Sequence, residues 1–376
     1  MKRFFLITLF LTLFTCSLFS QNEVDRLIET AIFKMDNGDY QESILLLEKA
    51  QKLEPENSIV KYEMSYAYYL QKDYKKAIKI LNKLVKEEKP KDYYYQMLGN
   101  AYDLKGDSKK AIKIYEQGLK KFPNSGKMYL ETGNVYFNQK NYTAAIQWYE
   151  KGIDADPDFP SNYFRAAHLY LNSDFEVWGL IYGEIFMHIE NSTKRTEAMS
   201  KMLFDAYKSQ ISFNDTSIEV SFYKNVININ YNPDNDDPNA LLEAMLEAKK
   251  KGDDMKNRSW GTGVFEKILS LSLIGEKEIS LASLNRIRSK FVDIYFEEKQ
   301  NEKYPIVLFD FQKKIKDAGH LEAYNYWLLS YGNIEEFNAW LKDNKDRFDA
   351  FVGWINENAI VLKDSNKFVR GQIERN

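Results

Sequence analysis

Lys72-Asp73-Tyr74-Lys75-Lys76-Ala77 governs how the rest of the chain is read, because its phrase returns at a fixed distance. Gly38-Asp39-Tyr40, Gly106-Asp107-Ser108 and Lys140-Asn141-Tyr142 stand in step with it, one every 34 residues. Five places past the first member come Ser43, Ala77, Ala111 and Ala145. In the same phase follow Leu47, Leu81, Tyr115 and Tyr149, then Ala50, Leu84, Gly118 and Gly152. Pro55, Pro123 and Pro157 close three of the four units, and Pro90 falls one place late in the other. The units run 24–57, 58–91, 92–125 and 126–159, and a self-similar period of this size marks a stacked-repeat architecture.

Within each unit two apolar-periodic stretches flank a short turn, which predicts an antiparallel helix pair. Ala31, Ser65, Gly99 and Gly133 are small and let the first helix approach its neighbour. Tyr68, Tyr102 and Tyr136, three places on, are expected to fill the space that closeness leaves. Proline cannot continue the second helix, so it ends the unit. One hairpin cannot bury its apolar face alone, whereas stacked hairpins share a continuous core.

Small, aromatic, small and proline at fixed offsets in a 34-residue unit resemble the tetratricopeptide repeat, over about a third of the chain. The resemblance implies an all-α superhelical solenoid whose concave wall is lined by the first helix of each pair, and a role in contacts between proteins. Carried over position by position, the groove residues are Ile28 and Ile32, then Tyr62, Tyr66 and Tyr69. Gln96, Asn100 and Asp103 follow, then Leu130, Asn134 and Phe137. Asn100 and Asn134 occupy equivalent positions, and an amide side chain offers both donor and acceptor to an extended peptide. The tyrosines add flat contact area at low entropy cost. Members that grip a C-terminal carboxylate use Lys and Asn, then Asn, then Lys and Arg. Here those positions read Gln96, Asn100, Glu131, Ser161 and Arg165, so only Asn100 and Arg165 agree and Glu131 opposes an anion.

The first twenty residues stand apart. Lys2 and Arg3 precede an apolar run from Phe4 to Phe14, and Leu18-Phe19-Ser20 precede Gln21. This order describes a secretory signal peptide over 1–20. A membrane anchor is the alternative, but it needs about 20 apolar residues, and Thr15, Cys16, Ser17 and Ser20 interrupt the run. Cys16 is the sole cysteine. Thr15 before it departs from the small residue usual ahead of a lipidated cysteine, which makes lipidation the minor alternative. Export to the periplasm or envelope of a Gram-negative bacterium is the expectation, with membrane contact only through the signal or a partner.

Removing Lys2 and Arg3 leaves 50 basic against 55 acidic residues. Such a mixed balance carries no electrostatic footprint for nucleic acid. A hydrophobic content of 44% excludes disorder as the main state.

Residues 160–190 begin as a fifth repeat with Tyr163, Ala167 and Tyr170 in phase, then depart through Trp178, Tyr182 and Phe186, which read as the core of a capping helix. Residues 191–363 are expected to form a mainly helical domain. Thr193–Ser209 reads as a helix, and alternation near 211–231 (Ile218, Val220, Phe222, Ile227, Ile229) predicts a small β-hairpin. Asp234, Asp236 and Asp237 would suit calcium, but the loop spacing and distal Glu are missing, and Asp237 before Pro238 is better read as a helix cap. Further helices are expected at Pro238–Lys251, Ile279–Phe296, Pro305–Ala318, Leu321–Tyr331, Ile334–Lys342 and Phe348–Ile360. Gly319 and Gly332 are expected to cap helix ends, Trp327, Trp340 and Trp354 to be core, and 364–376 to fray.

His168, His188 and His320 are far apart without ligand spacing, and no phosphate loop or nucleophile elbow occurs. Trp260-Gly261-Thr262-Gly263 reads as a loop. No catalytic residue, cofactor or metal is assigned. The function expected is an exported scaffold holding another protein or an extended peptide through Tyr62, Tyr66, Tyr69, Gln96, Asn100, Asn134, Phe137 and Arg165. The alternative is a targeting arm for a hydrolase or carbohydrate-handling module in 191–363.

Overall fold

The structure, a computed structural model, describes residues 23–215, 217–223, 225–230, 259–363 and 365–374, with the isolated positions 243 and 250. The signal-peptide residues with Cys16, the aspartates at 234–237 and the helix expected at 238–251 lie outside this range. The described chain is all-α apart from one small sheet, and it divides into two compact bodies, residues 1–141 and 142–376.

In the N-terminal body, helices alternate in antiparallel pairs: α1 (23–36), α2 (Tyr40–Leu53), α3 (Ser58–Leu70), α4 (Tyr74–Leu84), α5 (Asp92–Leu104), α6 (Ser108–Lys121) and α7 (Gly126–Asn138). The 34-residue phrase has a backbone cause. Gly38, Lys72, Gly106 and Lys140 all adopt left-handed φ, from 60° to 95°, directly after a first helix. That conformation turns the chain back while satisfying the last carbonyls of the helix. The Asp73 N–H donates to the Tyr68 carbonyl (2.8 Å) and the Lys72 N–H to that of Tyr69 (2.9 Å). The residue after the left-handed position starts the second helix: Asp73 and Asp107 accept from the Lys76 and Lys110 N–H groups.

Two apolar clusters result. Val24, Leu27, Ala31, Ile44, Leu47 and Ala50 pack with Val60, Met64 and Ala67 of α3. Ala77, Leu81 and Leu84 pack with Tyr94, Tyr95, Leu98, Ala111, Ile114, Tyr115, Met128 and Val135. Gly99 is small for a reason different from the one expected. The ring that fills its space is Tyr115 of α6, which a Cβ on Gly99 would overlap, while Tyr102 stays half-buried.

The C-terminal body opens with α8 (Tyr142–Ala155), α9 (Pro160–Tyr170) and α10 (Glu176–Ile189), continues through α11 (Lys194–Gln210) and enters the sheet. Every residue of α10 from Val177 to His188 is buried, so Trp178, Tyr182 and Phe186 are core. The sheet is a three-stranded antiparallel meander of β1 (Ile211–Asn214), β2 (Ser217–Tyr223) and β3 (Asn225–Asn230), one strand more than the expected hairpin. The extra strand has four residues and follows α11 without a break, so alternation alone had too few positions to reveal it. On β2, Ile218, Val220 and Phe222 face the core, and Ile211 pairs with Val220.

Trp260–Gly263, expected as a loop, instead leads into a buried π-helix (Gly261–Glu266) in which Gly261 lies against the Tyr223 ring. Then come α12 (Lys267–Leu273), α13 (Leu281–Glu297), α14 (Gln300–Lys303), α15 (Val307–Asp317), α16 (Leu321–Leu329), α17 (Ile334–Asp343) and α18 (Lys345–Asn358). Gly319 caps α15 with φ 78°. Gly332 is no such cap: its φ is ordinary, and it is small because the Phe204 ring packs on it. Trp327, Trp340 and Trp354 are half-buried rather than core, and the Trp340 indole N–H donates to Glu322 while its ring stacks on Tyr326 at 4.4 Å.

The terminal stretch also departs from expectation. Phe368 is 1% exposed and packs on Trp178 and Tyr182, and Arg370 pairs with Glu150 and Glu374. One aromatic residue in a polar, basic run was enough to dock it.

Candidate functional site

The first helices of the N-terminal hairpins, α3, α5 and α7, carry seven of the eight expected binding residues. Arg165, the eighth, belongs to the C-terminal body, where it lies on α9. There burial, then the Arg165 charge, depress the His168 pKa.

On α3, positions 62, 66 and 69 follow helical spacing and share one face. Tyr66 is 37% exposed and its ring stacks on Tyr69 at 6.4 Å, while Tyr69 meets Tyr74 edge-on at 5.7 Å. Tyr62 is half-buried, edge-on to Tyr93 at 4.6 Å and 5.6 Å from Tyr94. The aromatic row thus extends onto α5 through Tyr93 and Tyr94, which the groove positions alone did not include. The run Tyr93-Tyr94-Tyr95 was the available sign. Of the two isoleucines placed on this wall, Ile28 is core at 8% exposure and Ile32 is exposed.

The amides do not form an open ladder. The Tyr115 hydroxyl donates to Asn100 Oδ1 at 2.5 Å, which occupies that carbonyl from inside the fold. Asn134 Nδ2 donates to Glu131 Oε2 (3.1 Å), and Gln96 Nε2 donates to Glu131 Oε1 (3.3 Å). Glu131, which first stood out only as a mismatch, therefore joins α5 to α7. Asp103 accepts from the Ser108 hydroxyl at 2.5 Å. Burial, then Glu131, then Tyr74, Tyr66 and Asp103, raise the Tyr69 phenol. Burial also raises the Glu63 carboxyl. Among the described residues, no Lys or Arg forms an ion pair with Glu63, Asp103 or Glu131. The arrangement is a shelf of tyrosine faces edged by carboxylates, suited to holding a chain by stacking and hydrogen bonds.

Two family models, each described as tetratricopeptide repeat, match residues 34–101 and 97–160. The chain is a tetratricopeptide-repeat protein through these residues, a class that serves as a scaffold for protein–protein contact. Solved structures with a similar fold include TTC0263, a thermophilic TPR protein of Thermus thermophilus. It is 17% identical and covers 48% of this chain and 98% of that one, with a TM-score of 0.40. YrrB, described as a TPR protein with an unusual peptide-binding site, is 16% identical over 47% of this chain and 92% of its own, with a TM-score of 0.33. A tetratricopeptide repeat protein from Parabacteroides merdae ATCC 43184 is 14% identical over 83% and 99%, with a TM-score of 0.39. Among curated proteins, none matches the chain.

Elsewhere, among the described residues, no group of three or more His, Asp or Glu is placed to hold a metal ion. No described helix is long and apolar enough to cross a membrane.

Proposed function

We propose that this protein is an exported, non-enzymatic adaptor that holds an extended segment of another protein on the α3–α5–α7 wall. The observation that carries this reading is the aromatic row Tyr62, Tyr66 and Tyr69 beside Gln96 and Asn134. Tyrosine faces left partly exposed beside amides on adjacent first helices contribute contact area without a large ordering cost. Export rests on the Lys2–Ser20 segment alone.

Capture of partners from an envelope extract by the tagged chain tests the wall, with Tyr66→Ala/Tyr69→Ala as the comparison. Loss of the captured partner with an unchanged melting temperature is expected; full retention would overturn the reading. Export is tested separately by sequencing the N-terminus of the secreted chain, which should begin at Gln21. The hydrolase alternative gains nothing from the open pocket bordered by Gly319 and Leu321. That pocket gathers Arg286, Lys290 and Lys316 with one carboxylate, Glu322, whose oxygens are held by Trp340 and Arg347.

A further inference from the structure

Charge is sorted between the two kinds of helix in the N-terminal body. The second helices α4 and α6 carry Lys75, Lys76, Lys79 and Lys83, then Lys109, Lys110, Lys113, Lys120 and Lys121, against one acid, Glu116. The first helices α3, α5 and α7 reverse this. They carry Glu63, Asp92, Asp103 and Glu131, and their only bases are Lys61 and Lys127, both near the starts of their helices. Lys61 is already paired with Glu56 at 2.7 Å.

We propose that the segment held on this wall is cationic, an extended stretch of a partner protein whose Lys or Arg side chains reach Asp103 and Glu131 across the faces of Tyr66 and Tyr69. This rests on the wall being the docking surface, and it adds the chemistry of the occupant. Asp103 and Glu131 sit close enough to the same rings to act on both Tyr69 and Tyr115, whose phenols are raised first by burial and then by Glu131. Among the described residues neither carboxylate has a cation of its own, so a bound ammonium or guanidinium supplies the missing partner. An aromatic face beside a carboxylate favours a cation twice, through the ring quadrupole and through direct attraction. The same acids exclude an acidic segment, because like charges at an interface are costly.

The test uses the full chain and three short fluorescent peptides of one sequence carrying Lys, Gln or Glu at alternate positions, with binding read by anisotropy. The Lys peptide should bind at least about tenfold more tightly than the Glu peptide, and rising salt should weaken it. Asp103→Asn with Glu131→Gln should cut Lys-peptide affinity by about fivefold or more while the melting temperature holds. Equal binding of all three peptides, full retention by the double variant, or no binding of the Lys peptide would each overturn the cationic assignment. If the Gln or Glu peptide binds and Tyr66→Ala/Tyr69→Ala abolishes it, the wall stands and only the charge inference falls. If the tyrosine variant binds every peptide as the parent does, the wall itself falls.

Discussion

The Tyr115 hydroxyl reaches back across its own hairpin to donate a hydrogen bond to Asn100 Oδ1 at 2.5 Å, while its ring fills the space left by Gly99. An amide that looks available to a ligand in the sequence is thereby also a structural acceptor. Asn100→Ala should strand a hydroxyl in a ring that is 1% exposed, costing about 1–3 kcal/mol. Tyr115→Phe removes donor and need together and should cost less, about 1 kcal/mol. Urea denaturation of the two variants checks the order; a larger loss for Tyr115→Phe would contradict it.

Lys72 and Lys140 hold left-handed backbone at positions where the equivalent residues are Gly38 and Gly106. A side chain there costs roughly 1–2 kcal/mol, offset in part by the greater freedom glycine has when unfolded. Lys72→Gly and Lys140→Gly should therefore each stabilise the protein by about 0.5 kcal/mol, and Gly106→Ala should destabilise it by about 1 kcal/mol. Calorimetry would register opposite shifts in melting temperature, and shifts of the same sign would contradict the argument.

The repeats were legible because each marker residue answers to a backbone necessity, a left-handed turn or a close approach, that recurs in phase. Groove positions were legible as positions. What their side chains do was not, because Glu131 bonding Gln96 and Asn134, or Tyr115 bonding Asn100, depends on how neighbouring helices meet, in two of the three bonds across about 15 to 35 residues. The π-helix at Gly261–Glu266 was missed for a different reason. Two glycines in three residues read as a breaker, and only the Tyr223 ring packed against Gly261 explains why they sit inside a helix.

That π-helix ends at Glu266, whose Oε1 accepts from the Tyr223 N–H at 2.7 Å and whose buried Oε2 has no hydrogen-bond partner. Burial pushes this carboxyl up to about 8, against the opposing pull of the Tyr223 N–H. Unfolded, it titrates near 4.5. Between those values the folded protein keeps a proton that the unfolded chain has released. Its contribution is fully present below about 4.5 and is lost as pH rises through about 8. Glu266→Gln should abolish that loss, on the order of 3–5 kcal/mol at its full extent. Taking the difference between variant and parent also cancels His188, which burial lowers to about 4 and which gives the opposite slope in acid. The difference in melting temperature should widen from about pH 5 to about pH 9, and a constant difference would refute it.

Phe368 converts a polar tail into a clasp on the C-terminal body. Its ring lies 6.1 Å from Trp178 and 5.9 Å from Tyr182, while Lys367 pairs with Asp154 at 2.9 Å and the Arg370 N–H donates to the Tyr182 hydroxyl at 2.8 Å. The ion pairs are partly exposed and each contributes little, so the buried ring must supply most of the holding energy. Phe368→Ala should cost about 3–5 kcal/mol, the range for a large aromatic deleted from a packed core. Lys367→Ala should cost less than about 1 kcal/mol. Limited proteolysis reports the docking directly: the parent chain should resist cleavage after Lys363, and the Phe368 variant should be trimmed there early. Equal cleavage rates in the two chains would mean that the tail is held by its charges instead.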